Sequence, residues 1–193
     1  MPSLVGSEMC IRDSMWTDAS DDYDRIVSRE LHNSRDVDHW RHELDTRLGD
    51  EPRDVLDVGC GPGFFSIMLS RLGHRVTSLD ASEGMLRAAR RNLTWYGIEP
   101  HVRHGDVVTL DGVADSSVDA VVSRDVVWTL HDPAAAYRRW FQVLRPGGLV
   151  LVYDGNYRTD RTGVRHSIWQ ALSNGLIMLL SLIHISEPTR LGM

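Results

Sequence analysis

The sequence contains no lysine: all 21 of its basic residues are arginines. Enzymes that form Schiff bases, including those that use pyridoxal phosphate, need a lysine amine, and so does the phosphate-binding P-loop. The absence of lysine excludes these kinds of site. The 27 acidic residues outnumber the arginines and give a formal net charge of -6 over 193 residues. We therefore expect neither a nucleic-acid groove nor a polybasic membrane surface, because both need excess positive charge.

Cysteine and long apolar runs are also scarce. Cys10 and Cys60 are too few for a disulfide framework, so we expect a reducing, cytoplasmic environment. The apolar run at 176–185 is about half of the ~20 residues that a membrane-spanning helix needs. Neither end resembles a cleaved signal peptide. We expect no membrane insertion.

The two ends of the chain differ from its middle. Residues 4–14 (LVGSEMCIRDS) and 180–190 (LSLIHISEPTR) look like translations of the two strands of a sequencing adapter, because codons for SEMCIRDS can be chosen whose reverse complement encodes LSLIHISE. We therefore expect residues 1–14 and 180–193 to be artefacts, with natural short tails as the alternative. Residues 15–179 are then expected to form one domain.

Short apolar runs alternate with helical periodicity through the middle of the chain, which predicts an α/β fold with a doubly wound parallel sheet. The predicted strands are 54–58, 75–79, 101–106, 119–123 and 149–153. Helices are predicted after N-caps at Ser34, Ser82 and Asp132, and at 64–72. The last helix is expected to turn Trp140 and Phe141 toward the core.

A glycine-rich turn, Gly59-Cys60-Gly61-Pro62-Gly63, lies between the first strand and the following helix. Glycines let the backbone approach a ligand closely at a helix N-terminus. Asp80 ends the second strand, 17 residues after Gly63, where a carboxylate can accept hydrogen bonds from two ribose hydroxyls. Together these features predict a ligand that contains a nucleoside.

The ligand is expected to be cationic rather than a dinucleotide. The dinucleotide fingerprint needs a third glycine where this sequence has Phe64 and Ser66. Carboxylates recur at the ends of successive strands and suit a cation better than a phosphate; they are Asp57, Asp80, Asp106 and Asp125. A nicotinamide-dependent oxidoreductase and a non-catalytic cofactor-binding module stay open as alternatives.

The motifs resemble those of class I S-adenosylmethionine-dependent methyltransferases, in the branch that includes ubiquinone and menaquinone biosynthesis enzymes. VLDVGCGPG resembles the first motif of that family, VTSLDAS the second and HGDV the third; DAVVSRDVVWTLHDP resembles the segment after strand four and LRPGG the approach to strand five. The resemblance covers 23–157. It implies a Rossmann-like fold from which the strands after the fifth are missing, S-adenosylmethionine as cofactor, and direct methyl transfer to a small-molecule acceptor.

The resemblance also implies roles for individual residues. The cofactor-binding set is Asp57, Gly59, Gly61, Gly63, Asp80, Ser82, Met85, Asp106, Val107, Ser123 and Arg124. In that set Asp57 orients the loop and the amino group of the cofactor, Asp80 holds the ribose and Asp106 the adenine amine.

Three residues are candidates for acceptor chemistry: His131 and Asp125 as a base, and Tyr23 as a lid or positioning residue. Roles without a ligand remain as alternatives at three positions: Asp80 as a helix cap, Asp106 as a turn residue and His131 as an exposed side chain. Histidines repeat at three-residue spacing without further ligands nearby, so we expect no metal.

Overall fold

The computed structural model of the chain describes residues 16–155. The two predicted artefacts, 1–14 and 180–193, and both ends of the predicted 15–179 domain lie outside the described residues. The helices are α1 (Ser20–His32), α2 (Ser34–Leu48), α3 (Phe64–Arg71), α4 (Glu83–Trp95) and α5 (Pro133–Val143), with a 3-10 turn at Val127–Thr129. The strands are β1 (Asp54–Val58), β2 (Arg75–Asp80), β3 (Val102–His104), β4 (Val118–Arg124) and β5 (Leu144–Tyr153).

The five strands form one sheet in the order β3-β2-β1-β4-β5, and every neighbouring pair is parallel. The predicted doubly wound parallel sheet is confirmed. β1 lies at the centre of the sheet, and its four residues after Asp54 are all buried, as expected of a strand covered on both faces. β2 and β3 lie on one side of β1, and β4 and β5 lie on the other. The carboxyl ends of β1, β2 and β4 therefore border one crevice, where the strand order changes direction. The expectation that later strands are missing concerns residues outside the described part.

Both faces of the sheet are covered by helices. One face packs against α2 and α3 through Leu44, Phe65 and Met68. The other face packs against α5, where Trp140 and Val143 are fully buried. Because alternate strand residues point to opposite faces, these two clusters divide the strand side chains between them.

Side-chain caps fix the starts of three helices. Ser82 Oγ accepts a hydrogen bond from the Met85 amide, and Asp132 Oδ1 accepts one from Ala135, so both predicted caps are confirmed. The predicted cap at Ser34 is wrong. Asn33 Oδ1 accepts from the Arg35 amide instead, which makes Ser34 the first residue of α2.

The junction of α5 and β5 also differs from prediction. Phe141 is 44% exposed, because Ala136, Trp140 and Val143 form the inner face of α5 and Phe141 lies beside that row. β5 begins at Leu144 rather than at 149. Its pairing with β4 shifts register, since Val118 pairs with Leu144 while Ala120 pairs with Leu149. The extra residues form a bulge at the start of the strand, away from the crevice.

No helix between residues 16 and 155 combines the length and the apolarity that crossing a bilayer requires.

Candidate functional site

A cavity lies at the carboxyl ends of the strands and is bordered by residues of α1, the glycine turn, β2, and the segments after β3 and β4. Eleven of the residues predicted from the sequence line it: Tyr23, Asp57, Gly59, Gly61, Asp80, Ser82, Met85, Asp106, Val107, Arg124 and Asp125. The fold therefore brings most of the predicted residues to one place.

Three predicted residues do not line the cavity. Gly63 caps α3 in a left-handed conformation, and a Cβ there would touch Ala89 of α4 at 3.5 Å. Ser123 is fully buried, and its Oγ has no hydrogen-bond partner among the described residues. His131 is exposed, just before the Asp132 cap. The roles expected for these residues stay predictions.

The backbone amides of the glycine turn are bonded within the protein. Gly59 and Cys60 both donate to the Leu79 carbonyl, at 2.7 and 3.0 Å. The Gly61 amide donates to Asp80 Oδ2 at 2.9 Å, and the Gly63 amide donates to the Cys60 carbonyl. Pro62 has no amide proton. The turn therefore offers no unbonded donors of the kind that a phosphate-binding loop aims at its ligand.

Two glycines of the turn face different surroundings. A Cβ at Gly59 would lie 2.2 Å from Val126 Cγ2, so the turn approaches the segment after β4 too closely for any side chain. A Cβ at Gly61 would meet no protein atom within 4 Å, and Gly61 borders the cavity. Both residues have positive φ, +71° and +51°, which favours glycine. Gly59 is thus needed for packing, and Gly61 leaves space beside the cavity.

Asp80 joins the glycine turn to the start of α4. Its Oδ2 accepts from Gly61, and its Oδ1 accepts from the Ser82 amide at 2.9 Å. Burial raises the pKa of Asp80, while these backbone amides oppose the rise. Each carboxylate oxygen has two lone pairs, so both can accept a further hydrogen bond from a ligand. Ser82 rather than Asp80 caps α4.

Asp57 is buried beneath the turn. Its Oδ2 accepts from Ser66 Oγ at 2.5 Å, and that hydroxyl lies 2.7 Å from Ser78 Oγ. Burial raises the pKa of Asp57 to about 7, with the charge of Asp80 adding to the rise and the Ser66 hydroxyl opposing it. A cation beside Asp57 favours the ionised carboxylate, because the positive charge replaces the stabilisation that water gives to an exposed carboxylate.

Asp106 combines two roles that the sequence left as alternatives. Its Oδ1 accepts from the amides of Val108 and Thr109, at 2.6 and 3.3 Å, which is a turn-stabilising arrangement. The residue also lines the cavity, next to Val107. The Val107 carbonyl is in turn held by the Trp140 indole at 2.7 Å, so α5 fixes this wall.

Glu30 is a cavity residue that the sequence analysis missed. Its two carboxylate oxygens accept from the two terminal nitrogens of Arg124, at 2.6 and 3.1 Å. The Arg124 guanidinium also lies over the rings of Phe64 and Trp40, 4.9 and 5.1 Å from their centroids. The pair holds α1 to the end of β4. The two residues are 94 positions apart, and no local pattern links them.

The segment after β4 is held by residues that follow β5. Asp154 accepts from the amides of Val126 and Trp128, at 3.0 and 2.8 Å, and the Gly155 amide donates to Asp125 Oδ1. Asp125 has φ of +58°, a conformation that aspartate tolerates better than most residues. These bonds present Asp125 to the cavity. Burial, and then the charge of Asp125, raise the pKa of Tyr23, so its hydroxyl stays protonated at neutral pH.

The cavity fits S-adenosylmethionine. Its carboxylates match an ammonium, a sulfonium and ribose hydroxyls, and the space beside Gly61 has no side chain. Among residues 16–155, no group of three or more His, Cys, Asp or Glu side chains is arranged to hold a metal ion.

A family profile described as a methyltransferase domain matches residues 56–152, half of the chain. A ubiquinone biosynthesis O-methyltransferase of Ruegeria pomeroyi is 37% identical over 113 residues, which cover 56% of this chain and 45% of that protein. A malonyl-[acyl-carrier protein] O-methyltransferase of Xylella fastidiosa is 35% identical over 137 residues, or 66% of this chain and 46% of that protein. The chain spans less than half the length of either relative.

A solved structure supports the same assignment at the level of the fold. It is a Methanococcus maripaludis protein assigned as an S-adenosyl-L-methionine-dependent methyltransferase, and it superposes with a TM-score of 0.64 at 23% identity, covering 88% of this chain and 77% of that one. The sheet order, the cavity and the family profile agree. The chain therefore belongs to the methyltransferase-domain family and has the class I, Rossmann-like fold of S-adenosylmethionine-dependent methyltransferases.

Proposed function

We propose that the chain binds S-adenosylmethionine and takes part in direct transfer of its methyl group to a small-molecule acceptor. The names of the two curated relatives, both O-methyltransferases, favour an oxygen atom as the acceptor. A cytoplasmic location belongs to the same proposal and is supported by the scarcity of cysteine and the free thiol of Cys60.

One observation carries the proposal: the amides of the glycine turn are hydrogen-bonded to β2 or within the turn, while carboxylates line the cavity. A pyrophosphate needs unbonded amides or basic side chains, and a ring of carboxylates repels it. A nucleoside that carries a sulfonium and an ammonium is instead attracted by carboxylates and needs no unbonded amides. The internal bonding of the turn therefore favours S-adenosylmethionine over a nicotinamide dinucleotide.

The chain's own residues would divide the binding work by chemistry. Asp80 would hold the ribose hydroxyls through the second lone pair of each oxygen. Asp57 would accept the ammonium in its ionised form, and Asp106 the exocyclic amine of adenine. Ser82, Met85 and Val107 would line the adenine pocket. Bound S-adenosylmethionine supplies a methyl group already activated by the positive sulfur.

The acceptor side needs alignment and exclusion of water more than proton transfer. Tyr23 and Ile26 of α1 cover the cavity opposite the segment after β4. Where the acceptor must lose a proton, Asp125 would act as the base, because it lines the cavity beside Tyr23. His131 is a weaker candidate, since it does not line the cavity.

Calorimetric titration of the whole chain with S-adenosylhomocysteine, S-adenosylmethionine and NAD tests the proposal. We expect saturable binding of the first two and none of NAD. Asp80→Asn should weaken binding at least tenfold, because the neutral amide cannot accept the same set of hydrogen bonds. The matched control is Asp50→Asn, an exposed acid at the opposite end of the sheet. Binding of NAD alone, or equal affinity in the Asp80 and Asp50 variants, would refute the proposal.

A further inference from the structure

Two buried serines connect the Asp57 carboxylate to two neighbouring elements. Ser66 of α3 and Ser78 of β2, which we call the serine pair, lie with their Oγ atoms 2.7 Å apart, and Ser66 Oγ lies 2.5 Å from Asp57 Oδ2. All three side chains are buried. Asp57 and Ser78 are partners in the register of β1 and β2, so both side chains point to the same face of the sheet. One line of hydrogen bonds thus joins β2, α3 and β1.

The surroundings of the serine pair are otherwise apolar. In α3 the residues on either side of Ser66 are Phe65 and Ile67, and both are buried. A buried hydroxyl costs free energy unless it is hydrogen-bonded. Among residues 16–155, the hydrogen-bond partners of the two hydroxyls are each other and Asp57. The polar group that the serine pair serves is therefore the Asp57 carboxyl.

The direction of these hydrogen bonds depends on the ionisation of Asp57. Each serine hydroxyl has a single proton to donate. When Asp57 is ionised, Ser66 donates to Oδ2 and Ser78 donates to Ser66, so both protons have acceptors. A proton on Oδ2 would reverse the order and leave the buried Ser78 hydroxyl proton without an acceptor in the described part of the chain. The serine pair therefore favours the ionised carboxylate.

Other titratable groups face Asp57 from the remaining elements of the cavity. The charge of Asp80 opposes ionisation of Asp57, and that of Arg124 favours it. The others that line the cavity are Tyr23, Glu30, Cys60, Asp106 and Asp125. None of these groups is hydrogen-bonded to the serine pair. Replacing a serine by alanine therefore leaves this set of charges in place.

We propose that Ser66 and Ser78 are positioning residues, which hold the Asp57 carboxylate in place and set the lowest pH at which the site binds the cationic cofactor. The proposal rests on the proposed function, because the cation that Asp57 would accept is the ammonium of S-adenosylmethionine. Ser66 acts on the carboxylate directly, and Ser78 acts through Ser66. Loss of the Ser66 hydroxyl should have the larger effect.

Titration of Asp57 in the full chain without ligand tests the serine pair directly. Aspartate carboxyl groups labelled with carbon-13 are followed by NMR across the neutral range, and the Asp57 signal is identified by its absence in Asp57→Asn. Burial raises the pKa of Asp57 to about 7 in the wild-type chain. Ser66→Ala should move the midpoint upward by about one pH unit and Ser78→Ala by about half as much, because a carboxylate that loses a donor is harder to ionise.

Ser70→Ala is the matched control. Ser70 lies one turn further along α3, and its Oγ donates to the Ser66 backbone carbonyl at 2.7 Å rather than to Asp57. The substitution removes a hydroxyl from the same helix, and the midpoint of Asp57 should not move.

Calorimetry with S-adenosylhomocysteine measures the consequence for the cofactor site. With a midpoint near pH 7, affinity should rise about tenfold between pH 6 and pH 8, and in Ser66→Ala this ratio should become about 50-fold. Ser70→Ala should keep the wild-type ratio. In an Asp57→Asn background, Ser66→Ala should not change the dependence on pH, because the group that the hydroxyl serves is gone.

Equal midpoints in Ser66→Ala and Ser70→Ala overturn the proposal, and so does a raised midpoint that leaves the pH dependence of affinity unchanged. If thermal melts show that Ser66→Ala does not fold, the same comparison between Ser78→Ala and Ser70→Ala decides. A wild-type chain that binds no S-adenosylhomocysteine at any pH would instead refute the proposed function, whereas the carboxyl titration would still measure the effect of the serine pair on Asp57.

Discussion

Glu30 of α1 and Arg124 at the end of β4 face each other as a two-pronged ion pair, with N to O distances of 2.6 and 3.1 Å. Their side chains are only 24% and 22% exposed, so water screens the pair weakly. Aromatic rings of Phe64 and Trp40 flank the guanidinium. The pair is one of the polar connections that hold α1 beside the cavity; Asp24 of the same helix also accepts hydrogen bonds from Arg91 and Asn92 of α4.

Removing either partner of this pair should destabilise the fold. Glu30→Gln or Arg124→Gln should each lower the free energy of unfolding by about 1 to 3 kcal/mol, because each leaves a half-buried charge unpaired. The double variant should lose less than the sum. Urea denaturation of all four proteins gives the coupling energy.

The exposed pair of Asp22 and Arg25 in the same helix is the control. Its side chains are 75% and 73% exposed, and Arg25→Gln should change the free energy of unfolding by less than about 0.5 kcal/mol. A coupling energy near zero between Glu30 and Arg124 would contradict the prediction.

Asp57 should make cofactor binding depend on pH. Burial raises its pKa to about 7, and an ammonium binds the ionised form. The ionised fraction rises about tenfold between pH 6 and pH 8, so affinity for S-adenosylhomocysteine should rise by about the same factor. Calorimetry at both pH values measures it, and Asp57→Asn should abolish the change. A wild-type chain with equal affinity at pH 6 and pH 8 would rule this out.

The raised pKa of Asp57 should make the free energy of unfolding fall as pH rises, whereas the affinity for S-adenosylhomocysteine rises. The folded chain holds the Asp57 proton more tightly than the unfolded chain does. Its contribution to stability is therefore complete below about pH 3.8, the model-peptide range, and is lost as pH rises toward 7. Asp57→Asn should flatten this part of the curve of unfolding free energy against pH. Denaturation between pH 4 and pH 8 checks the sign.

Gly59 and Gly61 should respond differently to alanine. Gly59→Ala places a methyl group 2.2 Å from Val126 and at positive φ, so we expect a loss of about 2 to 4 kcal/mol of stability. Val126→Ala should restore part of this loss. Gly61→Ala meets no neighbouring atom and should cost only about 1 kcal/mol of backbone strain. It should nevertheless weaken S-adenosylhomocysteine at least tenfold. Thermal melts measure the loss of stability, and calorimetry measures the affinity for S-adenosylhomocysteine. Equal stability and equal affinity in the two variants would disprove the distinction.

Arg145 ties together two acids at the amino-terminal ends of β1 and β4. Its Nη1 lies 2.9 Å from Asp54 Oδ2 and 2.8 Å from Asp119 Oδ1. A hydrogen bond from Arg75, and then the one from Arg145, lower the pKa of Asp54; the Asp54 amide and then Arg145 lower that of Asp119. Lowered pKa values stabilise the fold above about pH 3.8, and this stabilisation is lost as pH falls further.

Arg145→Gln should therefore lower stability at pH 7 only slightly, because water reaches these partly exposed groups and screens their charges. The difference from wild type should shrink below pH 4. Affinity for S-adenosylhomocysteine should not change, since the network lies at the end of the sheet opposite the cavity. Weakened binding would show that this separation of stability from binding is mistaken.

Asp154 should control the mobility of the segment after β4. Asp154→Ala removes the acceptor of the Val126 and Trp128 amides, so both should exchange hydrogen with solvent at least tenfold faster. Amides in β1 should keep their protection. Unchanged exchange at Val126 and Trp128 would mean that the segment is held by other contacts.

The sheet could be predicted from the sequence because it depends on local patterns, whereas the roles of the predicted cofactor-binding residues came from the resemblance to class I methyltransferases. Apolar strand runs and the caps at Ser82 and Asp132 are local signals, and strand ends of a parallel sheet meet at one edge. The cap at α2 was misassigned because Asn33 and Ser34 are both good cap residues, and only the backbone angles distinguish them. The prediction for Phe141 is wrong because the inner face of its helix is formed by Ala136, Trp140 and Val143, and Phe141 lies beside that row.

Pairings between distant elements could not be predicted. Nothing near Glu30 in sequence indicates that it meets Arg124, and nothing near Asp154 indicates that it holds the segment after β4. The hydrogen-bond acceptors of the glycine-turn amides could not be predicted either, since the glycine spacing is the same whether the amides bind a ligand or the neighbouring strand.

Because Leu79 and Asp80 hold the glycine turn, its shape is established when β1 and β2 come together, before any ligand arrives. We expect this floor of the crevice to stay in place when a ligand binds and leaves. Spectroscopic reporters attached to α1 should therefore respond to ligand more strongly than reporters attached to the turn.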